Sequence, residues 1–432
     1  MKKQKLFLVS TLLLTLLSIS IRAEETPSER ITEIQTALRA AKMEGWLFYD
    51  FRKSDPLAYR ILKLDETKSG TRRWFYYIPA QGEPVKIVHS IERYKLDTLP
   101  GKRLIYSSWE KLHALLRETL SGRSPLNTTI PKAGGKHIAM QYSPMNDIPY
   151  VSRVDAGTIE LVRSFGVEPV TSAELVQRFE AVWSPAQKES HVEASDKTHR
   201  IIMEAFAEIA RRIRADQPTT EYDIQQFISQ RWNEEGMIRE SPIVAVNANT
   251  ANPHYNPTAE VTAPIKRGDF VLLDVASKLK KPGAVYTDQT WTGYVGESVP
   301  EEYTRIFNIV RDARDSAVEF VRKNLRAGHS IKGAEIDDVA RGVIQRAGFG
   351  EQFTHRTGHS IGEEVHGNGA NIDNFETRDS RHLIPGVAFS IEPGIYLEGK
   401  FGVRSEIDVY AGEKEIEVTG RPIQTEIVAI LK

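Results

Sequence analysis

The sequence predicts an α+β protein in which a smaller α/β domain precedes a larger mixed one. Three observations carry this. At 432 residues the chain is too long for one ordinary core. From about 25 to 182, helix-like and strand-like pieces alternate, as in an α/β layer structure. Beyond 184, helices and strands come in separate runs, which favours α+β over a doubly wound sheet. Composition agrees with a globular chain: 40% apolar, 27% charged, net charge −1. Nothing in that balance points to nucleic acid, so no nucleic-acid partner is expected.

The N-terminus has its own pattern. Lys2, Lys3 and Lys5 precede an apolar run at 6–21, followed by Arg22, Ala23 and the pair Glu24–Glu25. A basic head, an apolar middle and a small residue before polar chain form a secretory signal. The expectation is residues 1–23 as signal peptide, cleaved after Ala23. The protein would then be exported to the periplasm or medium, with no stable membrane association. An uncleaved anchor is the alternative, but a spanning helix wants about 20 apolar residues. There is no cysteine, so export brings no disulfide.

The first domain is expected at 24–183. Ile31, Ile34, Leu38 and Ala41 give 28–43 helical spacing. The run 45–49 reads as a buried strand, and 74–79 with 85–89 as two strands joined by the turn at 80–83. A helix at 109–120, a strand at 137–141, a helix at 158–165 and an extended piece at 168–170 follow. Residues 181–185 mark the boundary. Ser184 can cap a helix and Pro185 suits its first turn.

The second domain is expected at 184–432. A long helix carries Ile201, Ile202, Ala205, Phe206, Ile209 and Ile213 on one stripe. A second starts at Thr220, where T-E-Y-D has the form of a capping box. Later helices are read at 301–325 and 334–346. Strands are read at 243–246, 270–275, 284–295, 387–391, 407–410 and 425–431.

Chemistry gathers in this half. The strand at 270–275 delivers Asp274 and the next delivers Asp288, and a hairpin would bring both to one face. F-S-I-E-P-G delivers Glu392 in the same way, and G-V-R-S-E-I sets Glu406 among apolar residues. The stretch 353–367, F-T-H-R-T-G-H-S-I-G-E-E-V-H-G, adds His355, His359 and His366 among glycines, which suits a strand or tight loop more than a helix. Four buried carboxylates without counterions would be very costly. With His359, they balance two divalent cations. Oxygen-rich ligation with one imidazole suits manganese first, with zinc or cobalt as alternatives.

The order Asp274, Asp288, His359, Glu392, Glu406, with G-H-S-I-G-x-x-x-H, I-E-P-G and G-V-R-S-E, resembles the pita-bread metallopeptidases. That family holds methionine aminopeptidase, aminopeptidase P, prolidase and creatinase. The resemblance is strong over 184–431 and weaker over the preceding half, which is similar to the creatinase-type N-terminal domain. It implies that those five residues hold two metal ions and that Glu392 also shuttles protons. It places His254, in N-P-H-Y-N, and His366 as catalytic and substrate-binding residues. It makes His355 and Arg404 substrate-side residues, with Arg404 paired to a ligand carboxylate. The implied activity is hydrolysis of the Xaa-Pro bond at the N-terminus of peptides, as in aminopeptidase P, by a homodimer. Alternatives are prolidase action on Xaa-Pro dipeptides and a non-catalytic peptide-binding protein. The sequence departs from the family twice. The interval from Asp274 to Asp288 is longer, around 280–283. Trp291, in D-Q-T-W-T, stands where the family has arginine, which bears on the surroundings of the ligands.

Overall fold

A computed structural model describes residues 26–68, 70–121 and 135–432; the expected signal segment, 1–23, lies outside the described residues. The first half is built on a mixed six-stranded sheet: β1 (Gly45–Asp50), β2 (Trp74–Pro79), β3 (Val85–His89), β4 (Lys102–Tyr106), β5 (His137–Met140) and β6 (Glu168–Thr171), in the order β4-β3-β2-β1-β5-β6. Side chains of a strand alternate between faces, and the sheet uses both. Trp46, Phe48, Trp74, Tyr76 and Ile78 pack against Ile31, Ile34 and Leu38 of α1 (Pro27–Ala40). Leu47, Tyr49, Phe75 and Tyr77 pack on Leu112, Leu116 and Leu120 of α3 (Trp109–Ser121) and on Ile159 and Val162 of α4 (Ala156–Ser164). Strands covered on both sides read as unbroken apolar runs, which is why β1 and β2 stand out in sequence. Three elements escape that reading. α5 (Ala173–Val176) is a single helical turn, and α2 (Pro56–Ile61) is a short helix whose first turn Asp55 caps through the Ala58 amide. The third is β4, an edge strand that exposes Lys102 and Arg103.

The second half holds two helix pairs. Ser184 and Gln187 form a capping box at the start of α6 (Pro185–Arg214), and Thr220 with Asp223 forms another before α7 (Glu221–Glu234). Ile201, Ile202, Phe206, Ile224, Ile228 and Trp232 of this pair bury against a sheet ordered β16-β9-β8-β7. Its strands are β7 (Ile243–Val246), β8 (Phe270–Ser277), β9 (Thr287–Tyr294) and β16 (Val428–Ala429). The apolar run 425–431 thus supplies a strand of two residues; Ile427, Ile430 and Leu431 serve as core. The second pair, α8 (Glu301–Arg326) and α9 (Gly333–Arg346), packs on β10 (Ser360–Ile361), β11 (Ala388–Ile391), β14 (Ile407–Ala411) and β15 (Ile416–Val418). A hairpin of β12 (Gly394–Leu397) and β13 (Phe401–Arg404) completes this side. The two sheets meet where β9 approaches β14. The Asp288 amide, on β9, donates to Asp408 Oδ2, on β14, at 2.9 Å.

Trp183 belongs physically to the second half. It packs with Val285, Ile361 and Ala388, and its indole N–H donates to Ile361 O at 3.0 Å. Among the described residues no helix is long and apolar enough to cross a membrane.

Candidate metal centre

Five segments converge on one cleft of about 780 Å³. The antiparallel pairing sets Asp274 opposite Thr290 and Ala276 opposite Asp288. Asp274 and Asp288 are therefore diagonal neighbours on one face of the hairpin. The extra length between them falls past Ser277, where β8 ends and before β9 begins. His359 enters just ahead of β10, Glu392 just after β11, and Glu406 between β13 and β14.

Donor atoms of Asp288, His359 and Glu406 all lie within 4.8 Å of one another, and all three residues are buried. His359 Nε2 is 3.6 Å from Asp288 Oδ2 and 3.4 Å from Glu392 Oε1. Its Nδ1 faces Ser360 O at 3.1 Å, which leaves Nε2 aimed at the acids. Thr290 Oγ1 donates to Glu406 Oε2 at 2.7 Å. Asp274 is turned to Arg404, whose Nη2 donates to it. The same guanidinium donates from Nε to Thr290 Oγ1 (3.1 Å) and from Nη1 to Tyr396 Oη (3.0 Å). Arg404 is the one basic side chain bound into this set among the described residues, against four carboxylates. Burial pushes Asp288 and Glu406 well above the usual carboxylate range, and the neighbouring acids push the same way. Asp288 Oδ1 and Glu406 Oε1 are buried with no hydrogen-bond partner. Buried acceptors without donors cost free energy. A cation between them would satisfy both, so the donor set fits divalent metal.

The remaining histidines differ among themselves. His366 is open to the cleft, with its ring 4.4 Å from that of His359. His254 is exposed and lines the same cleft. His355 has both nitrogens engaged, Nδ1 with Arg356 O and Nε2 with Tyr396 Oη, each at 2.7 Å. Burial, helped by the Arg404 charge, pushes its pKa down to about 3. His355 is thus neutral and tied to Tyr396 on the lining of the cleft. Trp291 pairs with Leu273, one residue out of phase with Asp288 and Thr290. It faces away from the cleft and packs in the core beside His199.

Two glycines of the 353–367 stretch allow close approach. A Cβ at Gly358 would lie 2.0 Å from Ser390 O, and one at Gly367 2.9 Å from Ser360 Oγ. A Cβ at Gly362 would meet only Gly367 Cα, at an ordinary 4.0 Å. Sequence reasoning missed Tyr396, Asp408, Arg356 and Tyr150 as parts of the site. None repeats the apolar-strand-then-acid pattern that exposed the carboxylates.

Residues 193–413 match metallopeptidase family M24. The chain belongs to that family. It is accordingly a metal-dependent peptidase with a pita-bread C-terminal domain. The chain is 35% identical over 176 residues to an Xaa-Pro dipeptidase of Lactobacillus helveticus, which covers 40% of this chain and 43% of that protein. It is 25% identical over 355 residues to a probable dipeptidase PepE of Mycobacterium tuberculosis, covering 82% and 85%. The crystal structure of dipeptidase PepE from Mycobacterium ulcerans superposes with a TM-score of 0.67 at 22% identity, covering 94% and 98%. That likeness in fold extends over the six-stranded half as well.

Proposed function

We propose that this protein hydrolyses the Xaa-Pro bond of short peptides, with two divalent ions held by Asp274, Asp288, His359, Glu392 and Glu406. The carrying observation is the excess of buried carboxylate around His359, with unpartnered oxygens on Asp288 and Glu406. Manganese is the first candidate metal. When bound, the ions supply Lewis acidity and a water acidic enough to react near neutral pH. Glu392, held by Ser390 Oγ at 3.1 Å, accepts the proton of that water and passes it to the leaving nitrogen. His254 and His366 donate hydrogen bonds to the oxygen that gains charge. Arg404 fixes Asp274 and is itself held by Tyr396, through which His355 acts. Proline as leaving group offers no N–H, so the site has no need of an acceptor there.

The relatives are named as dipeptidases, and this moves the proposal from longer, aminopeptidase P-type substrates toward Xaa-Pro dipeptides. The test compares Ala-Pro with Ala-Pro-Ala on manganese-loaded protein. Faster cleavage of the dipeptide supports the reading; a preference for the tripeptide returns it to the aminopeptidase P type. Full activity in Glu392→Ala would sink the mechanism. We propose further that residues 1–23 direct export and that the protein is a homodimer. Mass spectrometry of the mature N-terminus and sedimentation equilibrium test these.

A further inference from the structure

The buried arginines among the described residues are Arg314, Arg341, Arg356, Arg381 and Arg404. Four of them hold a carboxylate: Asp315, Asp337, Asp379 and Asp274 respectively. Arg356 holds none. It is 9% exposed and lines the cleft next to His355. Its Nη1 donates to Tyr150 Oη, which the six-stranded half sends into the same cleft, and the guanidinium lies 5.6 Å from that ring's centroid. The nearby acid Glu376 accepts the backbone N–H of Arg356 at 2.9 Å and makes no ion pair with its side chain. Nε and Nη2 make no hydrogen bond, yet neither is sealed among the buried unpartnered atoms. They therefore keep some exposure, on a side chain that lines the cleft. A buried guanidinium is costly without an anion, and its planar fork matches a carboxylate bidentately.

We propose that Arg356, oriented by Tyr150, binds a carboxylate of the peptide substrate and so sets the specificity of the cleft. The proposal rests on the peptidase reading above and sharpens it. That carboxylate is either the free C-terminus of a dipeptide or the side chain of an acidic Xaa. The same contact gives the six-stranded half, through Tyr150, a part in substrate choice.

The experiment measures kcat/KM of manganese-loaded wild type, Arg356→Gln, Arg356→Lys and Tyr150→Phe on Ala-Pro, Ala-Pro-amide and Glu-Pro-amide, with metal content determined for each. Wild type should prefer Ala-Pro to its amide by about tenfold or more. Arg356→Gln should bring that ratio near one through KM. Arg356→Lys should recover part of the ratio, and Tyr150→Phe should lower it partway. If Glu-Pro-amide is instead the favoured substrate that Arg356→Gln weakens, the carboxylate is that of Xaa, and the proposal stands on that arm. Equal losses on all three substrates, or no change in any ratio, overturn it. Wild type that cleaves none of them refutes the Xaa-Pro reading itself. In that case calorimetric affinities for Ala-Pro and Ala-Pro-amide decide the role of Arg356, and equal affinities reject it.

Discussion

Two sets of buried acids lie side by side in the second half, and they are kept in opposite ways. Asp337 accepts from Arg341 Nη2 (3.1 Å), from the Thr357 amide (3.1 Å) and hydroxyl (2.5 Å), and from the Asn374 amide (2.9 Å). Asp379 accepts from Arg381 through Nε (2.9 Å) and Nη2 (2.6 Å), and from the Asn371 amide (2.8 Å). Each acid has its own guanidinium, and neither leaves an unpartnered oxygen. In the cleft, four acids share Arg404, and two of their oxygens have no donor. Burial of a carboxylate is therefore no mark of a site. In the cleft the mark is convergence: four acids gathered around one guanidinium.

The largest test of this contrast is Asp288→Asn. It should lower kcat/KM roughly 10⁴-fold, about 5 kcal/mol of transition-state stabilisation, and bound metal should fall by elemental analysis. The matching change, Asp337→Asn, leaves Arg341 without its partner. It should cost about 3–5 kcal/mol of stability in a denaturant melt, while the surviving folded protein keeps its metal. Metal loss in the second variant and not the first would reverse the comparison.

His191 adds a third way to keep a buried polar group. It is neutral, with Nδ1 2.6 Å from Tyr286 O and Nε2 2.6 Å from Thr419 Oγ1. Burial pushes its pKa down to about 4. The unfolded chain, with a histidine pKa of about 6.5, takes up the proton first. This contribution is thus complete above pH ~6.5 and is lost as pH falls toward 4, to a total of about 3 kcal/mol. A melt series across that window should be flatter for His191→Gln. The smallest effect expected is from metal itself. Manganese at a hundredfold excess over its Kd should stabilise wild type by about 2.7 kcal/mol, raising its melting temperature, and Glu406→Gln should lose most of that gain.

Much of the fold was legible because the strands are either apolar on both faces or end in an acid. The readings 74–79 and 85–89 coincide with β2 and β3. The hairpin carrying Asp274 and Asp288 pairs with both acids on one face. Elements with weak or mixed patterns were not legible: α2 has six residues, and β12 and β13 have four each and are joined past Gly399 at φ 73°. In the site, the acids announced themselves through the apolar strands that deliver them. Arg356 did not, because the residue that gives it meaning, Tyr150, is 206 positions away. Resemblance alone places His355 on the substrate side; its hydrogen bond to Tyr396, 41 positions away, is visible only in the packed structure.

The chain has no cysteine, yet Asp288, His359 and Glu406 bring together points far apart along it. An ion shared by these residues would close two long loops of polypeptide. That is the topological work of a disulfide, done by a link that reductants do not touch and chelators do. In a chain built this way, protease resistance would follow metal supply and be indifferent to redox conditions.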